Sequence, residues 1–320
     1  MNLVAVGIGA GLVSALLFSV IVTGHPLAAV LSLVAPLPVF IAAMGWNHRA
    51  GLLAAAAGGI VMALVFRATA GIGYVVGWAL PAWWLGYLAL LGRPDRNGTI
   101  EWYPVGRLLA WIAGTAAAVT VAFLITSSGG DYEAHRSSTV ATAQRLFESA
   151  PFIRPGPDGD AKQIAADLAR IFAAGLPALM ASAFVMILAV NLWIAGRVVA
   201  ISGRLPRAWP ELPAARMPIE SLGLLLGSLG VSFAPGFLGA FGLAFTAALL
   251  IAFVLQALAF THDATRGRPG RPMILVAVYV SVLFISQAAL PLLAILGMTD
   301  AGLNLRKRFG PGSAGPRPLP

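Results

Sequence analysis

The chain has 320 residues, of which 59% are hydrophobic and 10% charged, whereas an ordinary soluble domain carries about 25% charged residues. A mean hydropathy of +0.86 excludes a water-soluble globular fold, and the absence of cysteine excludes disulfides, thiolate metal sites and cysteine catalysis. The net charge of +9 comes mostly from arginines in connections between apolar runs, where it sets membrane topology. No basic helix is interleaved with aromatics, so nucleic acid is not an expected partner.

In chain order, apolar runs extend over Leu3–Thr23, Leu27–Trp46, Gly51–Phe66, Gly71–Leu91, Val105–Thr126, Ala173–Ala200, Ile219–Phe233, Phe237–Phe260 and Met273–Met298. They lack the alternating segments of about ten residues that build barrel strands. A helical crossing needs about 20 residues, so Gly51–Phe66 and Ile219–Phe233 are short. The expected fold is all-α, a polytopic transmembrane helical bundle of eight or nine spans embedded in the lipid bilayer of the bacterial inner membrane. One amphipathic helical insert lies between the fifth and sixth spans. The divisions are residues 1–126 (N-terminal transmembrane helices), 127–172 (hydrophilic helical insert), 173–308 (C-terminal transmembrane helices) and 309–320 (disordered tail). The first run has neither a basic leader nor a cleavage site after Val22, so it is expected to remain as a span.

Nine crossings from a cytoplasmic N-terminus place Arg49, Arg93, Arg96, Arg107, Arg197, Arg204, Arg207, Arg216, Arg266, Arg268 and Arg271 on the cytoplasmic side. Arg67 alone is left in the short loops of the other side, as the positive-inside bias requires. The same count strands Arg306, Lys307 and Arg308 outside. A re-entrant segment at Ile219–Phe233, before the Pro235-Gly236 break, would bring them back but would move the arginines at 266–271 outward.

Six of the twelve acidic residues fall between Asp131 and Asp167, which marks the insert. Within it, Val140, Ala143, Leu146, Phe147 and Ala150 share a helical face; Pro151, Pro155, Gly156, Pro157 and Gly159 then break the chain. Asp160 and Gln163 have capping-box spacing for a second helix, whose face continues through Ile164, Leu168, Ile171 and Phe172. The insert reads as a surface cap or lid over the bundle, or alternatively as a solvated linker.

Small residues four apart, Gly7 with Gly11 and Gly11 with Ala15, give the first run a face for close helix docking, within the chain or against another subunit. Gly73 with Gly77 and Gly223 with Gly227 repeat the spacing. Polar groups inside apolar segments are costly unless paired or lining a cavity. Asn191, Gln256 and Gln287, with Trp83, Trp84 and Trp193, are the candidate lining of a pocket for a small, mostly apolar solute. The alternative is amide bonding between helices with the tryptophans in an interfacial belt.

No catalytic, metal-ligating or cofactor-binding set is visible. The four histidines are dispersed, no GxSxG elbow occurs, and neither Lys162 nor Lys307 follows a glycine as a P-loop requires. The chain is not expected to be an enzyme. Glu220, at the edge of a short run, is the one candidate for a buried proton-coupling carboxylate.

The segments RLPRAWPEL, FVLQALAFTHDATRGRPGR and LPLLAILGMTDAGLNLRKR resemble the YybS-like bacterial membrane proteins, domain-of-unknown-function family 2232. The sharpest element is the ending formed by Leu296, Gly297, Asp300, Arg306, Lys307 and Arg308. The family is grouped with the substrate-binding S components of energy-coupling-factor transporters. The resemblance therefore implies a solute-binding subunit served by a separate transmembrane coupling subunit and ATPases, docked through small residues such as those of the first run. This chain departs from S components in having more spans than six and a glycine-rich first run. The expected function is a small-solute-binding transport subunit, and the alternative is a non-transporting scaffold or assembly protein.

Overall fold

The computed structural model describes residues 2–150, 161–208 and 215–306. The expected break at 151–160 with the Asp160 cap, the side chains of Lys307 and Arg308, and the tail at 309–320 lie outside the described residues. Eight helical segments are long and apolar enough to cross a membrane. The N-terminal half contains α1 (Leu3–Ser19), α2 (Pro26–Leu33), α3 (Pro36–Gly45), α4 (His48–Val65), α5 (Ala68–Tyr74) and α6 (Leu80–Ala89). A two-stranded hairpin, β1 (Gly92–Pro94) and β2 (Ile100–Trp102), leads to α7 (Val105–Ser128). The insert helix α8 (Tyr132–Glu148) is followed by α9 (Ala161–Ile201), α10 (Glu220–Val231), α11 (Gly236–Ala264), α12 (Arg271–Phe284) and α13 (Ser286–Leu303). Helices prevail because the hydrocarbon core offers no water to unpaired backbone groups.

The short run after Trp46 is lengthened by its N-cap. Asn47 accepts from Arg49 N at 3.0 Å, and α4 reaches 18 residues from His48. The second run is two helices, because Pro36 opens α3 just after α2 ends at Leu33. The carbonyls at that break are taken by side chains from three other helices. Trp78 donates to Ser32 O at 3.3 Å, Asn191 to Leu33 O at 2.9 Å, and buried Ser14 to Ala35 O while accepting from Tyr74 at 2.6 Å. The fourth span has its own irregularity, a π-helical turn at Val75–Ala79 ahead of Pro81.

The small-residue face of α1 is used inside the chain. A Cβ on Gly7 would press on Leu53 and Ala50, and one on Gly11 on Ala54 O and Ala57, while Ala15 is buried. These contacts make α1 and α4 parallel neighbours, so Gly7, Gly11 and Ala15 dock helices within the chain. Gly73, Gly77, Gly223 and Gly227 meet nothing within 4 Å. Gly11→Leu is expected to cost about 1–3 kcal/mol of stability, the range for overpacking, with no change of oligomeric state. Thermal unfolding and light scattering of the detergent-solubilised variant check both parts.

The run at Ile219–Phe233 holds α10, a helix of 12 residues and so shorter than a full crossing. Met217 N bonds Gln256 at 2.9 Å, Thr246 bonds Ser228 at 3.0 Å, and Gly239 lies against Ala234. The stretch at 215–219 and α10 together therefore run antiparallel along much of α11. The charge conflict is relieved further on, where Ile285 (φ −129°, ψ 38°) splits the run expected at Met273–Met298 into α12 and α13. The chain that leaves with Arg271 has returned by Arg306, whose guanidinium donates to Asp300 at 3.1 Å and to Ala215 O at 2.6 Å. One end of the bundle thus gathers the described arginines of the connections except Arg67.

The insert forms a stalk at the opposite end. Asp131 caps α8 by accepting from Ala134 N at 3.0 Å, and Ala143 on α8 is buried along with Ala165 and Ala169 of α9. Phe147 meets Phe172 edge-on at 6.2 Å. The 41 residues of α9 make a rod of about 60 Å, twice the hydrocarbon thickness of roughly 30 Å. It passes residue 172 without a break, so the insert has no boundary there. The bundle core is built from residues such as Phe40, Leu85, Ile112, Val185, Leu188 and Phe253.

Candidate functional site: a crevice at the arginine-rich end

A crevice of about 500 Å³ opens between α7, α9 and α11. Its walls are apolar side chains one and two turns apart on each helix, including Leu108 and Ile112 on α7, Met186 and Val190 on α9, and Leu255 and Leu258 on α11. Its polar groups gather at one end, where Arg207, His262 and Tyr279 line it. Such a space, of the size of small-ligand pockets, suits a mostly apolar molecule oriented by a few polar groups.

Arg207 reaches the crevice from the connection after α9. Its Nη1 donates to Ala89 O at 2.9 Å and Tyr103 O at 3.4 Å, and its guanidinium stands 5.6 Å from the Trp102 ring. Its Nε is buried with no partner. Partial burial lowers the pKa of this group from its usual value, because a low-dielectric surrounding disfavours the charged form. Across the mouth, His262 Nε2 and the Tyr279 hydroxyl lie 3.0 Å apart.

The sequence-derived candidates do not converge on this space. Trp193 lines it and is 43% exposed. Asn191 is on the same helix but is a strut: its amide donates to Leu33 O and to Ile187 O at 2.8 Å, with Oδ1 buried and unpartnered. Gln256 is also a strut, fully buried between Met217 N and Asp300, the latter at 2.8 Å. Gln287 is exposed on the first turn of α13 and is not in the crevice wall. Trp83 donates to His48 O at 3.0 Å, and Trp84 packs edge-on against Trp111 at 5.4 Å. With Tyr87 and Tyr103 nearby, these two tryptophans form a belt at the arginine-rich end, as amphipathic rings do at a membrane interface.

The lid expectation also fails. The crevice is bounded by Val105, at the first turn of α7, and by His262, near the end of α11, whereas α8 meets the opposite end of α11 through Tyr132 and Phe237 at 5.2 Å.

Residues 12–301 match the profile of domain-of-unknown-function family 2232, described as a predicted membrane protein. The chain belongs to this family. No curated protein and no solved structure matches it, so the kinship with S components has no support from these comparisons. In this family 2232 member, the C-terminal motif that carries the resemblance has a visible structural purpose. Gly297 lets α13 approach the Phe253 carbonyl so closely that a Cβ would overlap it. Asp300, fully buried, then receives both Gln256 and Arg306.

Asp300 stands out in the sequence only as part of the C-terminal motif, not as a buried acceptor, because the last span is expected to end at Met298, whereas α13 continues to Leu303. Arg207 looked like one more topological arginine, and only its place beside the crevice distinguishes it. His262 is one of the four dispersed histidines; its neighbour Asp263 turns to Arg266 at 3.8 Å.

Proposed function

We propose that the chain is a subunit of a bacterial inner-membrane transport system that binds a small, mostly apolar solute in the α7/α9/α11 crevice. The observation that carries this reading is the crevice itself, with apolar walls and its polar groups collected at one end. The sequence has no P-loop, so any ATPase and coupling subunit would be separate chains, and no chemistry on the solute is proposed. Ala189 lies on the crevice wall, and Ala189→Trp is expected to fill the space. Thermal-shift screening of the detergent-solubilised chain against apolar and aromatic solutes is expected to find stabilising ligands that the variant no longer responds to, at an unchanged melting temperature of its own. Equal ligand responses in the variant would overturn the reading.

A non-transporting scaffold is the second reading, favoured by Leu146, Ile164 and Ile171, which are exposed on the α8–α9 stalk. Affinity isolation that returns assembly proteins and no ATPase would support it over transport.

A further inference from the structure

Among the described residues that line the crevice, Arg207 is the one charged residue and none is a carboxylate. Its hydrogen bonds go to two carbonyls, which hold the guanidinium in place but do not neutralise it, and no described carboxylate forms an ion pair with it. Withdrawing a cation from water without a counter-charge costs several kcal/mol on general grounds, and here the buried Nε also lacks an acceptor. Among the described residues the site therefore lacks an anion.

The rest of the crevice indicates what carries that anion. Met186, Val190, Trp193 and Tyr279 line it and are each more than two-fifths exposed (42%, 45%, 43% and 48%). The first three lie on α9, a helix long and apolar enough to cross a membrane. In the bilayer, their open side faces hydrocarbon. The polar end lies among Arg207, His262 and Tyr279 beside the Trp and Tyr belt, at the depth where lipid headgroups begin. A water-soluble anion would have no use for the long apolar wall, and a neutral hydrocarbon would leave Arg207 unpaired.

We infer that the crevice takes an anionic lipid of the leaflet at the arginine-rich end, its headgroup oxygens on Arg207 and its chain along Met186, Val190, Trp193, Leu255 and Leu258. This rests on the crevice being the binding site, and it specifies the class of ligand and its lateral route of entry. The hydroxyl of Tyr279 and the ring of His262 stand across the mouth as further hydrogen-bonding groups for the head.

The test uses the full chain in nanodiscs containing either brominated phosphatidylglycerol or brominated phosphatidylcholine. Quenching assigned to Trp193 is obtained as wild type minus Trp193→Phe. A charge-assisted contact leads to an expected preference of about tenfold or more for the anionic lipid, weakening as salt rises. Arg207→Gln should equalise the two lipids, and Arg207→Lys, which keeps the charge, should retain a preference. If Arg207→Gln does not fold, the salt series on wild type and the lysine variant still decide the matter. Equal quenching by both lipids in wild type would overturn the anionic assignment while leaving the crevice as a site for a neutral solute. Absence of Trp193-dependent quenching by either lipid would overturn lateral lipid entry, and the Ala189→Trp solute screen then reports separately on the crevice.

Discussion

Asp300→Ala is expected to lower stability by about 3–5 kcal/mol, the range for removing one partner of a buried ion pair. Asp300 is fully buried, and one of its oxygens, Oδ2, receives Gln256 at 2.8 Å and Arg306 at 3.1 Å. Loss of the carboxylate leaves the Gln256 amide nitrogen without this acceptor and takes the counter-charge from an Arg306 that is only 14% exposed. The damage should extend to the connection after α9, because Arg306 also holds Ala215 O and Gln256 also holds Met217 N. Asp300→Asn keeps an acceptor for Gln256 and should lose less. The melting temperatures of the two variants in one detergent, ranked wild type above Asn above Ala, check the assignment; an alanine variant as stable as wild type would remove the clamp from the fold.

Gly106→Val is the second large effect expected. A Cβ at Gly106 would overlap the carbonyl of Arg216 and press on Met217 N. These are backbone atoms that cannot rotate away as a side-chain tip can. The cost should exceed about 3 kcal/mol, beyond the usual range for added methylenes in a packed interior. Because Ala215 lines the crevice, a variant that still folds should also lose ligand-induced stabilisation. Gly114→Val is the control, since Gly114 on the same helix meets nothing within 4 Å. Parallel thermal-shift curves for the two variants, with and without a stabilising solute, separate the close approach from a general effect of valine in α7.

The two substitutions act at one junction, where the starts of α7 and α10 and the end of α13 converge. That junction holds three residues of the C-terminal motif, Gly297, Asp300 and Arg306. Gly297 sets the approach of α13 to α11, Asp300 supplies the charge, and Arg306 closes the connection. The same contacts position one wall of the crevice.

The sequence by itself determined the solvent, the helical class and the sidedness of charge. Runs of about 20 apolar residues have few alternatives in hydrocarbon, and the acidic cluster at 131–167 could not be placed inside it. Its limit was pairing. Glycines four apart show that a helix can be approached closely, but nothing in Gly7 and Gly11 says that the approaching surface is α4 rather than another protein. Asn191 and Gln256 stand out as costly polar groups, yet whether an amide faces a cavity or a free carbonyl depends on helices distant in the sequence. The break at Ile285 left no strong local signal, because an apolar run reads the same whether it crosses once or turns back. Only the tertiary structure made Asn191 and Gln256 struts, brought Arg306 back to the arginine-rich end, and placed Arg207 at the crevice with no carboxylate beside it among the described residues. Burial of polar groups and ions is decided by what comes to lie beside them, and in this bundle those neighbours come from across the chain.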